Sequence, residues 1–155
     1  MEKNCFDKSV NRQCVFLAAL IGIGFLWSGT AYMVQVYRLL SFLDGGTVNL
    51  LACGLYYVFQ AIGIGVFALL SAKYPTVARR RALPIFTSTA MVAFIGISLF
   101  APHAGVVIAA GALLNLLIGG LSACYLTRLS TDIPQQRRGL VFGIAYAFGS
   151  LGTWL

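Results

Sequence analysis

Acidic residues are scarce in this chain. Its 155 residues include four Asp and Glu against eleven Lys and Arg, and only 10% of all residues are charged. Soluble domains are about 25% charged and about 45–50% apolar, whereas 59% of this chain is hydrophobic. Charged side chains are too few here to cover a water-soluble fold of this size. A fold surrounded by lipid does not need that polar surface.

Groups suited to catalysis or metal binding are also lacking. His103 is the one histidine, the four cysteines form no CxxC pair, and structural zinc sites need clustered Cys or His side chains. The sequence shows no paired carboxylates, no Ser-His-Asp arrangement and no phosphate-binding loop. It therefore predicts neither an enzyme nor a metal site, and it calls for no cofactor.

Long uncharged or nearly uncharged runs are what the chain has instead: residues 15–37, 50–72, 83–101, 104–127 and 140–155. About 20 apolar residues cross a bilayer as a helix. The runs predict one transmembrane domain, residues 1–155, that is all-helical, with four complete spans, part of a fifth, and residues 1–14 outside the bilayer. From Gly139 the last 17 residues reach only about 25 Å, so we expect the chain to be the front part of a longer protein.

The basic residues predict the orientation of these spans. Ten of them fall on the segments that share a side with the N-terminus, and Arg38 alone falls on the opposite side. Cytoplasmic loops carry such an excess of Lys and Arg, so the N-terminus is predicted to be cytoplasmic, in the plasma (cytoplasmic) membrane. The stretch AKYPTVARRRALP, residues 72–84, then becomes a cytoplasmic loop held at anionic headgroups and not a nucleic-acid patch.

Polar and small residues follow helical spacing inside the spans. Asn49, Cys53, Tyr56, Gln60 and Gly63 share one face of the second span. Similar stripes are Gly24, Ser28, Tyr32 and Gln35 on the first span, and Gly111, Asn115, Gly119 and Ala123 on the fourth.

Two interpretations of these stripes remain open. Small residues at four-residue spacing are typical of close helix packing, which is the interpretation for Gly24, Gly63, Gly111 and Gly119. Amides are costly to expose to lipid, so the larger polar side chains face either another helix or a hydrated cavity. Arg38 either extends to the membrane surface or attracts an anionic ligand at a cavity mouth. The candidate substrate or cavity residues are Tyr32, Gln35, Arg38, Tyr56, Gln60 and Asn115.

The order of these features resembles the N-terminal half of a major facilitator superfamily transporter. Basic loops follow the second and fourth spans, and a very short loop, APHAG, joins the third and fourth. The best local match is GALLNLLIGGLSACYLTRLSTDIPQQRRGLVFG, residues 111–143, with Pro134, Arg138, Gly139 and Gly143 in the family's pattern. This resemblance implies a helical bundle around a central cavity, lined by the first and fourth spans, that takes a small solute by alternating access.

The sequence departs from the family pattern at two places. The loop after the second span keeps a basic ending, ARRR at 78–81, but lacks the family's aspartate. Asn115 stands where the proton antiporters of the family often carry an arginine. The departures therefore favour a facilitator, a differently coupled carrier or a non-transporting relative over a proton antiporter. The cytoplasmic-loop or gate candidates are Lys73, Arg79, Arg80, Arg81, Asp132, Arg138 and Gly139.

Three functions are compatible with these features. The first is a secondary transporter whose remaining spans follow this segment. The second is the ligand-sensing membrane domain of a LuxR-type transcriptional regulator, with DNA binding outside this segment. The third is a non-transporting membrane protein that associates with a partner through its glycine faces. The lipid bilayer is an expected partner in all three cases. A small solute or ligand is expected in the first two.

Overall fold

The computed structural model shows, in the residues that it describes, a bundle of five α-helices joined by short connections. It describes the backbone of residues 2–76, 80 and 82–154, and the side chains of residues 11–76, 80 and 82–150. The helices are α1 (Glu2–Leu40), α2 (Gly45–Lys73), α3 (Ala82–Phe100), α4 (Ala104–Asp132) and α5 (Gln135–Trp154). No strand occurs among the described residues. Arg79 and Arg81, two of the gate candidates, lie outside them.

Four of these helices are long and apolar enough to cross a membrane: Asn11–Leu40, Gly45–Lys73, Ala82–Phe100 and Ala104–Asp132. The prediction of an all-helical, multi-pass membrane protein is confirmed at this level. α1 starts well before the first apolar run, because its charged N-terminal segment continues the same helix. α5, in contrast, begins with Gln and Arg residues and packs along α1.

α4 lies at the centre of the bundle. It packs against α2, α1 and α3, whereas α5 packs almost entirely on α1. Buried side chains accordingly follow its whole length, from Val107 through Leu114 and Leu121 to Arg128. The main core joins α4 to three neighbours through Ile21 of α1, Met91 of α3, Leu114 of α4 and Ala145 of α5. Any polar group on the inner face of α4 is therefore held away from lipid.

The outer surface of the bundle is apolar. Leu50 and Leu69 of α2 are 76% and 74% exposed, and Phe86 and Phe100 of α3 are 72% and 87% exposed. Large exposed apolar surfaces are rare on soluble monomers, but in a bilayer the same side chains contact acyl chains. The arrangement of the helices is thus the one expected of a chain whose solvent is lipid.

The connection between α1 and α2 fixes the start of α2. Asp44 has an extended backbone and its carboxylate accepts hydrogen bonds from the Thr47 amide at 2.9 Å and the Thr47 hydroxyl at 2.8 Å. This is an N-cap, which satisfies a backbone donor at the first turn of the helix. The two hydrogen bonds from Thr47 favour the charged carboxylate and lower the pKa of Asp44.

The cap of α2 is expected to depend on pH. Because the pKa of Asp44 is lowered in the folded protein, its stabilising effect is complete above the ordinary aspartate pKa of about 3.9. The effect is lost as pH falls through the lowered pKa. The amide proton shift of Thr47, followed by NMR in micelles, should therefore titrate below that value, and Asp44→Asn should abolish the titration. A midpoint at or above the ordinary value would contradict this account of the cap.

Candidate functional site

Two amide side chains meet inside the bundle where α1 crosses α4. Gln35 is fully buried and Asn115 is 1% exposed. The Asn115 side chain donates from Nδ2 to Gln35 Oε1 at 3.2 Å, and to the backbone carbonyl of Gly111 at 2.9 Å. Gln35 and Asn115 are 80 residues apart in the chain, so this pair exists only because the helices pack as they do.

The amide pair is incompletely satisfied. Within the part of the chain that the structure describes, Gln35 Nε2 and Asn115 Oδ1 are buried and have no hydrogen-bond partner. Leaving such a group unpaired costs about 1–3 kcal/mol. Gly111 makes room for the pair, because a Cβ atom at this position would lie 2.8 Å from Gln35 Nε2. The site thus has one buried amide donor, Gln35 Nε2, and one buried amide acceptor, Asn115 Oδ1, that no described group satisfies.

A small cavity of about 270 Å³ lies between α1 and α2. Its lining residues are Ser28, Gly29, Tyr32, Cys53, Tyr56 and Tyr57. The Tyr32 and Tyr56 rings meet edge to face with centroids 5.7 Å apart, and the Ser28 and Tyr56 hydroxyls are 3.3 Å apart. Tyr32 lies one helical turn from Gln35 on α1. The cavity therefore lies about one turn of α1 from Gln35.

The glycines of the predicted packing stripes lie at helix contacts. A Cβ atom at Gly63 would overlap the carbonyl oxygen of Leu116, and one at Gly119 would overlap the carbonyl oxygen of Gln60. α2 and α4 therefore touch backbone to backbone, which only glycine permits. Gly24 faces the ring of Tyr125, whose Cε1 atom would be 3.1 Å from an added Cβ. Gln60, a cavity candidate, is half-buried and contributes its backbone to this contact.

Arg38 lies at the far end of α1 and binds the last turn of α3. Its Nε donates to the carbonyl of Ser98 at 3.3 Å and its Nη2 to the carbonyl of Ala101 at 2.6 Å. The final carbonyls of a helix have no partner within the helix, and a cation there also interacts favourably with the helix dipole. The structure thus places this guanidinium at a helix end, and its Cζ atom is 5.3 Å from the centroid of the Phe42 ring.

Substituting Arg38 should loosen the end of α3. Arg38→Lys keeps the charge but cannot span two carbonyls with a fixed fork, so we expect the free energy of unfolding to fall by about 1–3 kcal/mol. Titration with sodium dodecyl sulfate in mixed micelles measures this loss. The matched control is Arg12→Lys, since Arg12 is exposed on the same helix. Equal stability of the two variants would contradict a capping role for Arg38.

The gate candidates that the structure describes lie at the opposite end of the bundle. Arg138 donates from Nε to the carbonyl of Ile133 at 2.8 Å and from Nη2 to the carbonyl of Ser130, so it binds the end of α4 as Arg38 binds the end of α3. Asp132 is exposed and accepts from the Thr131 hydroxyl at 2.8 Å. Gly139 is exposed with open space around it. The ammonium of Lys73 is 5.6 Å from the centroid of the Tyr74 ring.

Arg128 is a residue that the sequence reasoning passed over. It is only 6% exposed, and its Nη2 donates to the carbonyl of Arg80 at 2.9 Å, so it ties α4 to the connection between α2 and α3. Arg80 itself, a gate candidate, is exposed. The sequence does contain a pattern that predicts the burial of Arg128. Leu114, Leu121 and Arg128 recur every seven residues and so share one helix face. A buried face that continues to an arginine predicts a buried guanidinium.

Tyr57, which lines the tyrosine cavity, was also not among the predicted site residues.

Comparison of the chain with models of known protein families, with curated proteins and with solved structures gives no match. The similarity to the major facilitator superfamily therefore stays a prediction from the sequence, and the function has to be argued from the geometry of the site.

Proposed function

We propose that this chain is part of a secondary transporter of the major facilitator type, which moves a small solute across the membrane by alternating access. In this proposal α1 and α4 line the solute path. Gln35 and Asn115 form its polar centre, and Tyr32 and Tyr56 form its aromatic wall. The helix contacts made by Gly63 and Gly119 hold α2 and α4 together as one unit beside the path.

The observation that carries this proposal is the incompletely paired amide cluster. A polar pair that serves packing alone gains most when each donor and acceptor is satisfied. Gln35 Nε2 and Asn115 Oδ1 instead have no partner in the described part of the chain. A hydroxyl or carboxyl group of a solute can accept from the first and donate to the second, and polar groups within a membrane domain commonly mark such paths.

The position of the pair also supports a gated path. Gln35 and Asn115 are buried where α1 meets α4, one helical turn from the tyrosine cavity. Separating α1 from α4 would open the amides to that cavity, and bringing the helices together would close it. Midplane binding sites at helix interfaces work in this way in transporters built from repeated helix sets.

The charge distribution supports a cytoplasmic N-terminus in the plasma (cytoplasmic) membrane. Arg12, Lys73, Arg80, Arg128 and Arg138 lie at the end of the bundle that holds the start of α1 and the α2–α3 and α4–α5 connections. Arg38 lies at the other end. This asymmetry follows the positive-inside rule, so the tyrosine cavity is nearer to the outer side.

The chain contains a natural probe for this proposal. Cys53 is half-buried and lines the tyrosine cavity, so its thiol reports whether water reaches that cavity. In a variant with Cys5→Ser, Cys14→Ala and Cys124→Ser, a charged, membrane-impermeant methanethiosulfonate should modify Cys53 when added on either side of sealed vesicles. Alternating access predicts modification from both sides, because the cavity opens to each side in turn.

A second variant controls for general leakiness of the bundle. Gly54 adjoins Cys53 but is exposed at the lipid-facing surface, with no atom within 4 Å of an added Cβ. Gly54→Cys in a Cys53→Ser background should resist the reagent from both sides. Modification of Cys53 from one side only would overturn alternating access and favour a ligand-sensing domain. Resistance of Cys53 from both sides would remove the cavity from any solute path.

A further inference from the structure

The backbone carbonyl of Gly111 fixes which way round the Asn115 amide lies. A carbonyl oxygen only accepts, so the Asn115 atom 2.9 Å from it is the donor Nδ2. The same Nδ2 donates to Gln35 Oε1 at 3.2 Å, so Gln35 turns its oxygen toward Asn115. Two atoms of the pair are left over, the donor Gln35 Nε2 and the acceptor Asn115 Oδ1, and both are buried without a partner among the described residues.

These two leftover atoms are satisfied together by a group that both accepts and donates. A hydroxyl group does so at a single oxygen, because it carries one O–H donor and two acceptor lone pairs. An ionised carboxylate only accepts, so it leaves Asn115 Oδ1 without a donor. An ammonium only donates, so it leaves Gln35 Nε2 without an acceptor. The pair therefore favours a hydroxyl group over a charged group of either sign.

The surroundings of the pair also lack a counter-charge for an ion. None of the described residues that line the tyrosine cavity is charged. The charged residues on the four long apolar helices lie near the ends of those helices: Arg12, Arg38, Lys73, Arg128 and Asp132. Burying an ion without an opposite charge is far more costly than burying a neutral group that is hydrogen-bonded. A charged solute would therefore be disfavoured at this site.

The amide pair and the tyrosine cavity lie at the same depth in the bundle. Tyr56 is 11 residues after Gly45, where α2 begins, and Asn115 is 11 residues after Ala104, where α4 begins. Each is thus about 16 Å from the start of its helix, and both helices start at the same end of the bundle. The cavity of about 270 Å³ is smaller than pockets for drug-sized ligands, which are about 300–1,000 Å³. It fits a smaller solute.

We propose that the solute is an uncharged polyol, a small molecule with several hydroxyl groups. Its carbon chain lies against the rings of Tyr32 and Tyr56, and its outer hydroxyl groups pair with the hydroxyls of these tyrosines and of Ser28. When α1 and α4 separate, one solute hydroxyl accepts from Gln35 Nε2 and donates to Asn115 Oδ1. This inference rests on the proposed solute path, and it names the chemical class that the path takes.

The test is saturation-transfer NMR of the whole protein that contains this chain, in detergent, with sorbitol, gluconate and glucamine as probes. The three share a six-carbon hydroxylated chain and differ at one terminal carbon, which carries a hydroxyl, a carboxylate or an ammonium group. The cavity has room for about nine waters at about 30 Å³ each, so a six-carbon probe occupies most of it. Sorbitol should bind at least about tenfold more tightly than either charged probe, the equivalent of about one unsatisfied hydrogen-bonding group.

The variants of the amide pair locate the binding site. Gln35→Met with Asn115→Leu should weaken sorbitol binding at least about tenfold, because neither amide remains. Gln136→Met is the matched control, since it removes an amide that is exposed at the start of α5, and it should leave sorbitol binding unchanged. Circular dichroism checks that each variant keeps its helices. If the double variant does not fold, the order of the three probes on the unmodified protein still decides.

Three results would overturn the polyol assignment: no binding of sorbitol, binding of gluconate or glucamine that is as tight, or sorbitol binding that persists in the folded double variant. Binding in detergent does not require alternating access, so this inference and the proposed transport fail separately. Sorbitol that binds but is not carried by the reconstituted protein would contradict transport alone. Transport of charged solutes alone would contradict the polyol assignment and leave transport in place.

Discussion

Replacing Gly63 with alanine is expected to lower the free energy of unfolding by about 1–3 kcal/mol, as overpacking does in other well-packed interiors. The added methyl group would overlap the carbonyl oxygen of Leu116. Backbone atoms cannot rotate away as a flexible side chain can, so α2 and α4 must separate along their contact. Gly119→Ala should have the same effect, because its methyl group would overlap the carbonyl oxygen of Gln60. Titration with sodium dodecyl sulfate in mixed micelles measures both losses.

Gly65 provides the matched control for this prediction. It lies two positions after Gly63 on the same helix, and an added Cβ would meet no atom within 4 Å. Gly65→Ala should be neutral or slightly stabilising, since alanine favours the helix more than glycine. If Gly63→Ala and Gly65→Ala are equally stable, the close backbone contact between α2 and α4 does not exist.

The second large effect is expected at the amide pair. Asn115→Leu removes the hydrogen bond to Gln35 Oε1 and leaves that buried oxygen unsatisfied. The free energy of unfolding should therefore fall by about 1–3 kcal/mol. Gln35→Met should lower the free energy of unfolding by a similar amount, because Asn115 Nδ2 then loses its acceptor, Gln35 Oε1. The double variant replaces both amides by apolar groups of similar size, and such paired replacements can be nearly neutral. We therefore expect the double variant to lose less free energy of unfolding than the two single variants lose together.

The same three variants separate the structural role of the pair from its proposed role in transport. Single losses of about 1–3 kcal/mol each, with a nearly neutral double variant, correspond to a coupling energy of about 2 kcal/mol or more. A double variant that recovers stability yet fails to transport would show that the amides act on the solute. Strict additivity of the single losses would contradict a direct contact between Gln35 and Asn115.

The class of the fold followed from the sequence because it depends on local patterns. Uncharged runs of about 20 residues predict membrane helices whatever their neighbours are, and the four long apolar helices agree with that prediction. Helical spacing also predicted close packing at Gly63 and Gly119, since small residues on one helix face indicate a closely packed neighbouring helix. Neither signal identifies the neighbour, and the α2–α4 contact became visible only in the structure.

The contacts that join distant segments could not be predicted in this way. The partner of Arg38 depends on where α3 ends, 60 to 63 residues later in the chain. The sequence left open a surface position or an anion at a cavity mouth. A groove between α1 and α5 likewise depends on small residues of α1, such as Gly22, lying opposite larger residues of α5, such as Phe148. A single helical stripe carries no information about such pairings.

Solute flux is the direct test of the proposed transport. The whole protein that contains this chain is reconstituted into sealed vesicles and exposed to an equal mixture of small sugars, polyols, amino acids and carboxylic acids, and mass spectrometry measures what enters. The account predicts that at least one solute enters faster than into protein-free vesicles, and that Gln35→Met with Asn115→Leu slows its entry about tenfold or more, the equivalent of about one hydrogen bond. Entry of every solute at the protein-free rate, or flux unchanged in the double variant, would contradict it.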